Sequence, residues 1–192
     1  MEEVPRGVRD WLRGRKAEAG TAIEACGWWR ELRASTGFET DSLLSGFSSD
    51  FSGPLASHYV FGPLSPFTMK CVGTSDGSHF VWAVHVDMWA NNAMGMAQGG
   101  AIASLFDFMM AIHGTSIRGG LSVLTVTADL AVKFLAPARP IPGVLRIDTR
   151  TESVDERTLR LTATLGDGLG RVFATGTSSI VTVKTRTPSP KL

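Results

Sequence analysis

The stretch GGAIASLFDFMMAIHG, residues 99–114, decides the fold of this chain. Its large apolar residues recur at i, i+3, i+4, i+7 and i+8, the spacing of one face of a helix. They are Ile102, Leu105, Phe106, Met109 and Met110. The spacing predicts a single helix of about four turns. A helix this apolar must be buried against another element of the fold.

Runs rich in β-formers surround this helix on both sides. Two of them, Phe67–Thr74 and Ser78–Val86, flank a Ser-Asp-Gly turn signal. Four more follow the helix and are separated by Pro/Gly or Gly/Asp turns. These are Leu121–Leu135, Val144–Val154, Thr158–Leu165 and Arg171–Val183. The order ββ, helix, ββββ does not give parallel βαβ units. It predicts an α+β domain in which an antiparallel sheet wraps around one long central helix in two layers.

The remaining parts of the chain read as appendages to this domain. Residues 8–34 carry apolar residues among charges, which predicts an N-terminal helical extension of one or two amphipathic helices interrupted near Gly14 and Gly20. A Ser-, Gly- and Pro-rich connector follows, with one short strand expected over 57–61. We divide the chain into an extension (1–60), a central domain (61–185) and a C-terminal tail (186–192).

Composition excludes several classes of protein. Hydrophobic residues make up 43% and charged residues 19% of the chain, as in a globular domain. A net charge of +1 argues against a nucleic-acid partner, which needs clustered Lys and Arg. Open sheet edges favour a homodimer that shares its sheet. No apolar run reaches the 18 or so residues of a membrane span, so we expect a soluble protein.

Cysteine and terminal sequences bear on the compartment. Cys26 and Cys71 lack metal-ligand spacing and no histidines cluster, so we expect reduced thiols and no metal. This favours the cytoplasm. An Arg-rich N-terminus leaves the mitochondrial matrix open, and the final Pro-Lys-Leu, residues 190–192, leaves the peroxisome open.

The start of the central helix has two interpretations. Gly99 and Gly100 present backbone N–H groups that lack intrahelical partners, at the positive end of the helix dipole. Without a Cβ in the way, a substrate carbonyl could approach these amides as in an oxyanion hole. The alternative is an ordinary glycine-rich helix start.

Asp107 is the helix's one carboxylate, between Phe106 and Phe108. Burying an unpaired carboxylate is costly, and an acid two turns into a helix gains little from the dipole. It is therefore a candidate general base or nucleophile, the alternative being a boundary residue satisfied by solvent or by a strand hydroxyl. Asn92 and Thr127 are neutral hydrogen-bonders suited to hold water or a carboxylate, or else plain turn and strand residues.

The pattern Asn92-x-x-Gly95-x-x-Gln98-Gly-Gly, with Asp107 nine residues after Gln98, resembles the signature of hotdog-fold thioesterases of the phenylacetic-acid-degradation type. That signature commonly reads N-x-x-G-x-x-H-G-G with an Asp or Glu nine residues after the His. The segment from Thr127 to Arg139 is similar to the central strand of the same family. The resemblance extends from about Phe67 to Val183.

The resemblance implies an enzyme that hydrolyses a fatty or aryl acyl-CoA thioester to the free acid and CoA. Asp107 would be the base or nucleophile and Gly99 N–H the polariser of the thioester carbonyl. Asn92 would position the carbonyl or water, and Thr127 would hold the water or the carboxylate. Related enzymes take Asp and Thr from one subunit and Asn and Gly from the other, so the dimer would be the catalytic unit.

The resemblance also assigns substrate contacts, at Gln98, Gly100, Lys133 and Arg139. Lys133 and Arg139 are candidates for the CoA phosphates. Since CoA is part of the substrate, no separate cofactor is implied. Pairing of dimers into a tetramer stays open.

One position departs from the family pattern. Gln98 stands where most relatives have His, and Gln can hydrogen-bond a carbonyl but cannot be protonated near neutral pH. A non-catalytic acyl-CoA- or lipid-binding hotdog protein is therefore the alternative. The pattern also lacks the catalytic His of hotdog dehydratases. We expect the extension to cover part of the sheet or the acyl tunnel, anchored by Trp28 and Trp29, and His113 to serve as a partner of the helix C-terminal dipole.

Overall fold

The computed structural model describes residues 6–35, 38–39, 67–119, 123, 125–139 and 143–183. These residues form three α-helices, seven strands and one 3-10 turn, Met88–Ala90. The helices are α1 (Arg6–Ala25), α2 (Gly27–Ala34) and α3 (Gly99–Ile117). The strands are β1 (Phe38–Glu39), β2 (Phe67–Thr74), β3 (His79–Val86), β4 (Thr125–Phe134), β5 (Val144–Val154), β6 (Thr158–Gly166) and β7 (Val172–Thr182).

All seven strands join one antiparallel sheet in the order β1-β2-β3-β5-β6-β7-β4. The expected pair flanking the Ser-Asp-Gly turn is a hairpin in which Cys71 lies opposite Trp82. The first strand after the helix, β4, pairs with β7, the last. Among the described residues its other side is open, so β4 is an edge strand.

The sheet buries the apolar stripe of α3 on its inner face. Ile102, Leu105, Phe106, Met109 and Met110 are all buried in one core with the inward side chains of the strands. A Cβ at Gly176 would lie 2.6 Å from Phe106 Cδ2, so β7 admits the helix this closely because it carries glycine there. The α+β prediction of a sheet around one central helix is confirmed.

By length and composition α3 is the one described helix that could cross a membrane. Most of it is buried against the sheet, as the core helix of such a fold must be.

The N-terminal helices cover the outer face of the same sheet. Ile23, Trp28 and Trp29 pack against Val72, Val81 and Ala83, which point away from α3. Strand residues alternate between the two faces, so β2 and β3 are buried on both. The expectation that the extension covers part of the sheet through its tryptophans is thus confirmed, and it adds a third layer to the two predicted.

The predicted breaks near Gly14 and Gly20 are wrong. Helix α1 runs through both glycines and ends at Ala25, where Cys26 has extended backbone angles. Each glycine costs the helix roughly 1 kcal/mol relative to alanine. Tertiary packing of the helix, seen at buried Ala19 and Ile23, outweighs that cost.

The strand predictions after residue 66 hold closely. Phe67–Thr74 and Val144–Val154 match at both ends, and the other strands are shorter or longer by a few residues. The short strand expected over 57–61 lies outside the described residues. So do both proposed domain boundaries, which therefore stay predictions.

A buried hydrogen-bond chain fixes the second half of α3 to the sheet. His113 is fully buried, and its Nε2 lies 2.9 Å from the Gly77 carbonyl. Because a carbonyl only accepts, Nε2 carries the proton, so Nδ1 accepts from the Thr149 hydroxyl at 2.9 Å. Trp82 Nε1 donates to the same hydroxyl at 3.3 Å. His113 is therefore a core residue, and the expectation of a helix-dipole partner is wrong.

Burial lowers the pKa of His113 to about 4, against the opposing effect of the Gly77 hydrogen bond. The folded chain therefore keeps the ring neutral in a range where the unfolded chain protonates it. We expect stability to fall as the pH drops from about 6.5 to about 4, by about 3 kcal/mol in total from this group.

Urea unfolding of the wild type and of His113→Gln, measured across that range, checks this expectation. Gln keeps one donor and one acceptor but does not titrate, so the variant should lose the His113 part of the pH dependence. If His113→Gln does not fold, NMR titration of the wild-type ring serves instead. A ring that protonates near pH 6.5 would contradict the prediction.

Candidate active site

The first turn of α3 is presented by the loop of residues 87–98. The loop closes on itself, because Gln98 N donates to the Ala90 carbonyl at 2.8 Å. Ala97 N donates to the Ala138 carbonyl at 2.9 Å, which ties the loop to the segment after β4. The helix begins at Gly99, and the side chain of its N-cap residue, Gln98, makes no capping hydrogen bond.

The two opening glycines therefore keep their amides available. Neither Gly99 N–H nor Gly100 N–H has an acceptor among the described residues, as expected of first-turn amides. Gly100 is exposed. The Phe134 ring lies over Gly99, with Cζ 3.2 Å from where a Cβ would stand. Sequence reasoning missed Phe134, although its inward place on β4 follows from strand alternation.

Asp107 lies on the less buried side of α3. Up to Ala111, the exposed and partly exposed residues of this helix form one continuous stripe: Gly99, Gly100, Ala103, Ser104, Asp107, Phe108 and Ala111. Asp107 is half-buried there, and no described residue donates a hydrogen bond to its carboxylate. It is seven residues after Gly100, almost two full turns, so both occupy the same side of the helix.

Thr127 lies on β4, which runs back along α3. The Thr115 and Thr125 hydroxyls are 2.7 Å apart at one end, and Phe134 meets Gly99 at the other. Asp107 lies about 12 Å along the axis from Thr115, and Thr127 about 7 Å along the strand from Thr125. Measured from the contact between Thr115 and Thr125, Thr127 and Asp107 thus differ by about one helical turn in their position along α3. A β-bulge follows directly, between Thr127 and Asp129.

Asn92 is partly committed to the loop's own structure. Its Oδ1 accepts hydrogen bonds from Met94 N at 2.9 Å and Met96 N at 3.2 Å. Its Nδ2 has no acceptor among the described residues. A substrate carbonyl or a water could therefore use the amide N–H groups of Asn92, while its oxygen is occupied.

The four expected substrate-binding residues do not all lie together. Gln98, Gly100 and Arg139 are exposed and lie near the start of α3. Arg139 lies there because it directly follows Ala138, whose carbonyl accepts from Ala97 N. Lys133 is also exposed, but it precedes Phe134, whose ring faces α3. Strand alternation sends Lys133 to the outer face of the sheet.

Substitution can test separately the two roles of the Asn92 side chain, as an acceptor within the loop and as a donor to a substrate or water. Asn92→Ala removes the acceptor of two backbone amides and should destabilise the loop by about 1 kcal/mol. Asn92→Asp keeps that acceptor, loses the donor and adds a negative charge. Hydrogen exchange of the Met94 and Met96 amides should be faster in the Ala variant and close to wild type in the Asp variant. Equal exchange in the two variants would contradict the turn role.

The sequence matches no protein-family model and no curated protein sequence. Solved structures do match the fold. The PaaI protein of the Escherichia coli phenylacetic acid degradation operon superposes with a TM-score of 0.53 at 17% identity, over 60% of this chain and 80% of that one. The putative thioesterase YhdA of Lactococcus lactis superposes with a TM-score of 0.52 at 13% identity, over 64% of this chain and 93% of that one.

A protein of Streptococcus mutans, solved with acetyl CoA bound, gives a TM-score of 0.50 at 22% identity, over 57% of this chain and 85% of that one. At these identities the likeness establishes architecture. The neighbours are hotdog-fold proteins, and the superposition covers most of the length of each. The chain therefore has the hotdog fold, as the sequence signature implied.

Proposed function

We propose that the protein hydrolyses an acyl-CoA thioester to the free acid and CoA, with Asp107 as general base or nucleophile. The observation that carries the proposal is the Asp107 carboxylate, half-buried and without a described partner, on the same side of α3 as the free amides of its first turn. A structural neighbour that holds acetyl CoA, and another named as a thioesterase, support the substrate class.

The chemistry follows from the two kinds of group. The amide of Gly99 polarises the thioester carbonyl and stabilises the oxyanion that forms on attack. As a base, Asp107 takes a proton from water, whose oxygen bonds to the carbonyl carbon. The carbon–sulfur bond then breaks, and the CoA sulfur leaves with the proton. As a nucleophile, Asp107 would instead bond to the carbonyl carbon and displace the CoA thiolate, which gives an acyl anhydride. Water then hydrolyses the anhydride to the free acid and the Asp107 carboxylate, and the proton released goes to the thiolate.

Distance within one chain argues that two chains build each site. Gly99 and Asp107 are eight residues apart on one helix, about 12 Å along its axis. The Asp107 side chain spans only part of that gap, even though helical side chains lean toward the N-terminus. A reacting carbon must be about 3 Å from both groups. The amides serving one Asp107 should therefore come from a second copy.

The edge strand supplies a surface for that second copy. Beyond β4 no described strand pairs, and Val126, Phe134 and Leu135 expose large parts of their side chains there. An open, partly apolar edge is a liability for a lone chain and a template for pairing. We propose a homodimer through β4, since this strand also carries Thr127 and meets Gly99. Whether two dimers associate stays a separate question.

For the CoA phosphates the structure favours Arg139 over Lys133. Arg139 is exposed next to the start of α3, while Lys133 projects from the opposite face of the sheet. Cytoplasm is the compartment we propose, because the spacing of Cys26 and Cys71 leads us to expect reduced thiols. The mitochondrial matrix and the peroxisome stay the alternatives.

Asp107→Asn should lower kcat/KM for an acyl-CoA at least a hundredfold, because the amide cannot take a proton or attack a carbonyl. Its thermal stability should match or exceed that of the wild type, since the half-buried charge is removed. Thiol release, followed with a thiol-reactive dye over acyl and aryl chain lengths, is the measurement. Asp155→Asn, an exposed carboxylate in the β5–β6 turn, is the matched control. Full activity in Asp107→Asn would refute the assignment.

Site sharing predicts complementation between two inactive chains. Gly99→Val should block the amides, and Asp107→Asn the carboxylate. A heterodimer of the two, purified by two different tags, regains one intact site of two and about half of the wild-type rate. If each chain used its own Asp107 and Gly99, the heterodimer would stay inactive.

A second function has one observation in its favour. Gln98 cannot act as an acid, and the Oδ1 of Asn92 is already engaged by the loop. A non-catalytic acyl-CoA-binding hotdog protein would need neither group. Calorimetry that finds tight acyl-CoA binding without thiol release would decide for this alternative.

A further inference from the structure

Helix α1 reaches the point where the active-site loop leaves the sheet. Arg15 Nη2 lies 2.8 Å from Asp87 Oδ1, and Lys16 Nζ donates to the Phe67 carbonyl at 2.5 Å. Phe67 pairs with Val86, the last residue of β3. Asp87 follows directly and is the first residue of the loop. Neighbouring residues of α1 thus hold both the end of the sheet and the start of the loop.

This contact is partly withdrawn from water. The Arg15 side chain is 35% exposed and that of Asp87 19%. Burial lowers the pKa of the Lys16 ammonium to about 8, opposed by the Asp87 carboxylate. Burial also lowers the pKa of His85, with Asp87 opposing and Arg15 adding to the effect. An ion pair in such surroundings is screened less than one on open surface.

Backbone hydrogen bonds connect Asp87 to the first turn of α3. The Asp87 carbonyl accepts from Ala90 N at 3.0 Å, and the Ala90 carbonyl accepts from Gln98 N at 2.8 Å. The Gln98 carbonyl in turn accepts from Ile102 N at 3.1 Å. A shift of Asp87 is therefore passed through two consecutive bonds to Gln98, the residue that precedes Gly99, and through the third bond to Ile102 in the first turn of α3.

Part of this loop is exposed to solvent. Ala90 and Ala97 are buried, but Met88 and Met94 are 70% and 72% exposed. The Asp87 carboxylate makes no capping bond to the 3-10 turn that follows it. Its ion pair with Arg15 is thus a side-chain restraint on the loop's first residue.

The hotdog fold does not itself require this restraint. The PaaI structure is covered over 80% of its length by 60% of this chain, so the fold is nearly complete without the remaining part. Helices α1 and α2 belong neither to the sheet nor to α3, so the contact of α1 with Asp87 needs another reason.

We propose that Arg15 is a positioning residue for the reaction. Through Asp87 it sets the position of the loop of residues 87–98 and so of the amides that open α3. The N-terminal extension then belongs to the working active site. The catalytic part of this inference rests on the proposed function, whereas the ordering of the loop does not.

The test compares Arg15→Gln and Asp87→Asn with Arg33→Gln. Arg33 pairs with Glu24 on the same extension at 2.9 Å, far along the chain from the loop, and is half-exposed. Each loop variant should lower kcat roughly tenfold with a smaller change in KM. Amides displaced by a fraction of an ångström stabilise the oxyanion of the transition state less well, whereas binding of the substrate is weakened less. The double variant should be no worse than either single one. Arg33→Gln should keep the wild-type kcat.

Hydrogen exchange gives a readout that needs no activity. In the full-length protein the Gln98 and Ala97 amides should exchange roughly tenfold faster in Arg15→Gln and Asp87→Asn than in the wild type or Arg33→Gln. The charge-reversed pair Arg15→Asp with Asp87→Arg should restore slow exchange. Unchanged exchange in Arg15→Gln, or equal effects of Arg33→Gln, would overturn the proposal. If the wild type hydrolyses no acyl-CoA, the proposed function fails while exchange still decides the role of Arg15.

Discussion

The burial of one apolar helix by one antiparallel sheet is the constraint on which the structure depends. Helix α3 has an apolar stripe that a single sheet can cover only by curving around it. That curvature requires close approach, which Gly176 of β7 permits beside Phe106. The opposite side of α3 is left half-exposed, and Asp107 lies on it. The position of the candidate carboxylate is thus a consequence of how the core is packed.

The second face of the sheet explains the N-terminal extension. Covering α3 leaves the outward residues of β2 and β3 on the other face, and several of them, such as Val81 and Ala83, are apolar. Trp28 and Trp29 bury them, and the T-shaped pair of indoles has its ring centroids 5.9 Å apart. Arg146 lies 5.7 Å from the Trp28 ring centroid, held by the Asp148 carboxylate. Burial alone would raise the pKa of Asp148, but hydrogen bonds from His79 and Arg146 hold it below its usual value.

The sequence predicts the central domain well because two periodicities are clear there. Alternation over Phe67–Thr74 and Val144–Val154 ends at turns rich in proline, glycine or charged residues, so both bounds follow from local chemistry. The continuity of α1 does not follow in that way. Gly14 and Gly20 are local signals for a break, whereas the packing that overrides them comes from strands about fifty or more residues away. The same limit applies to His113, whose partners Gly77 and Thr149 are distant in sequence.

For the site, spacing along one helix carries more information than spacing between elements. The interval from Gln98 to Asp107 fixes which side of α3 each occupies, and the structure places the uncapped amides and the carboxylate accordingly. Between elements the direction of the side chain matters as well. Lys133 precedes Phe134, whose ring faces α3, so strand alternation sends Lys133 to the outer face of the sheet. The rise of the helix sets the distance between Gly99 and Asp107. An acid and an amide in one rigid helix cannot close a gap of about 12 Å by local motion, and this separation is the reason we propose that two chains build each site.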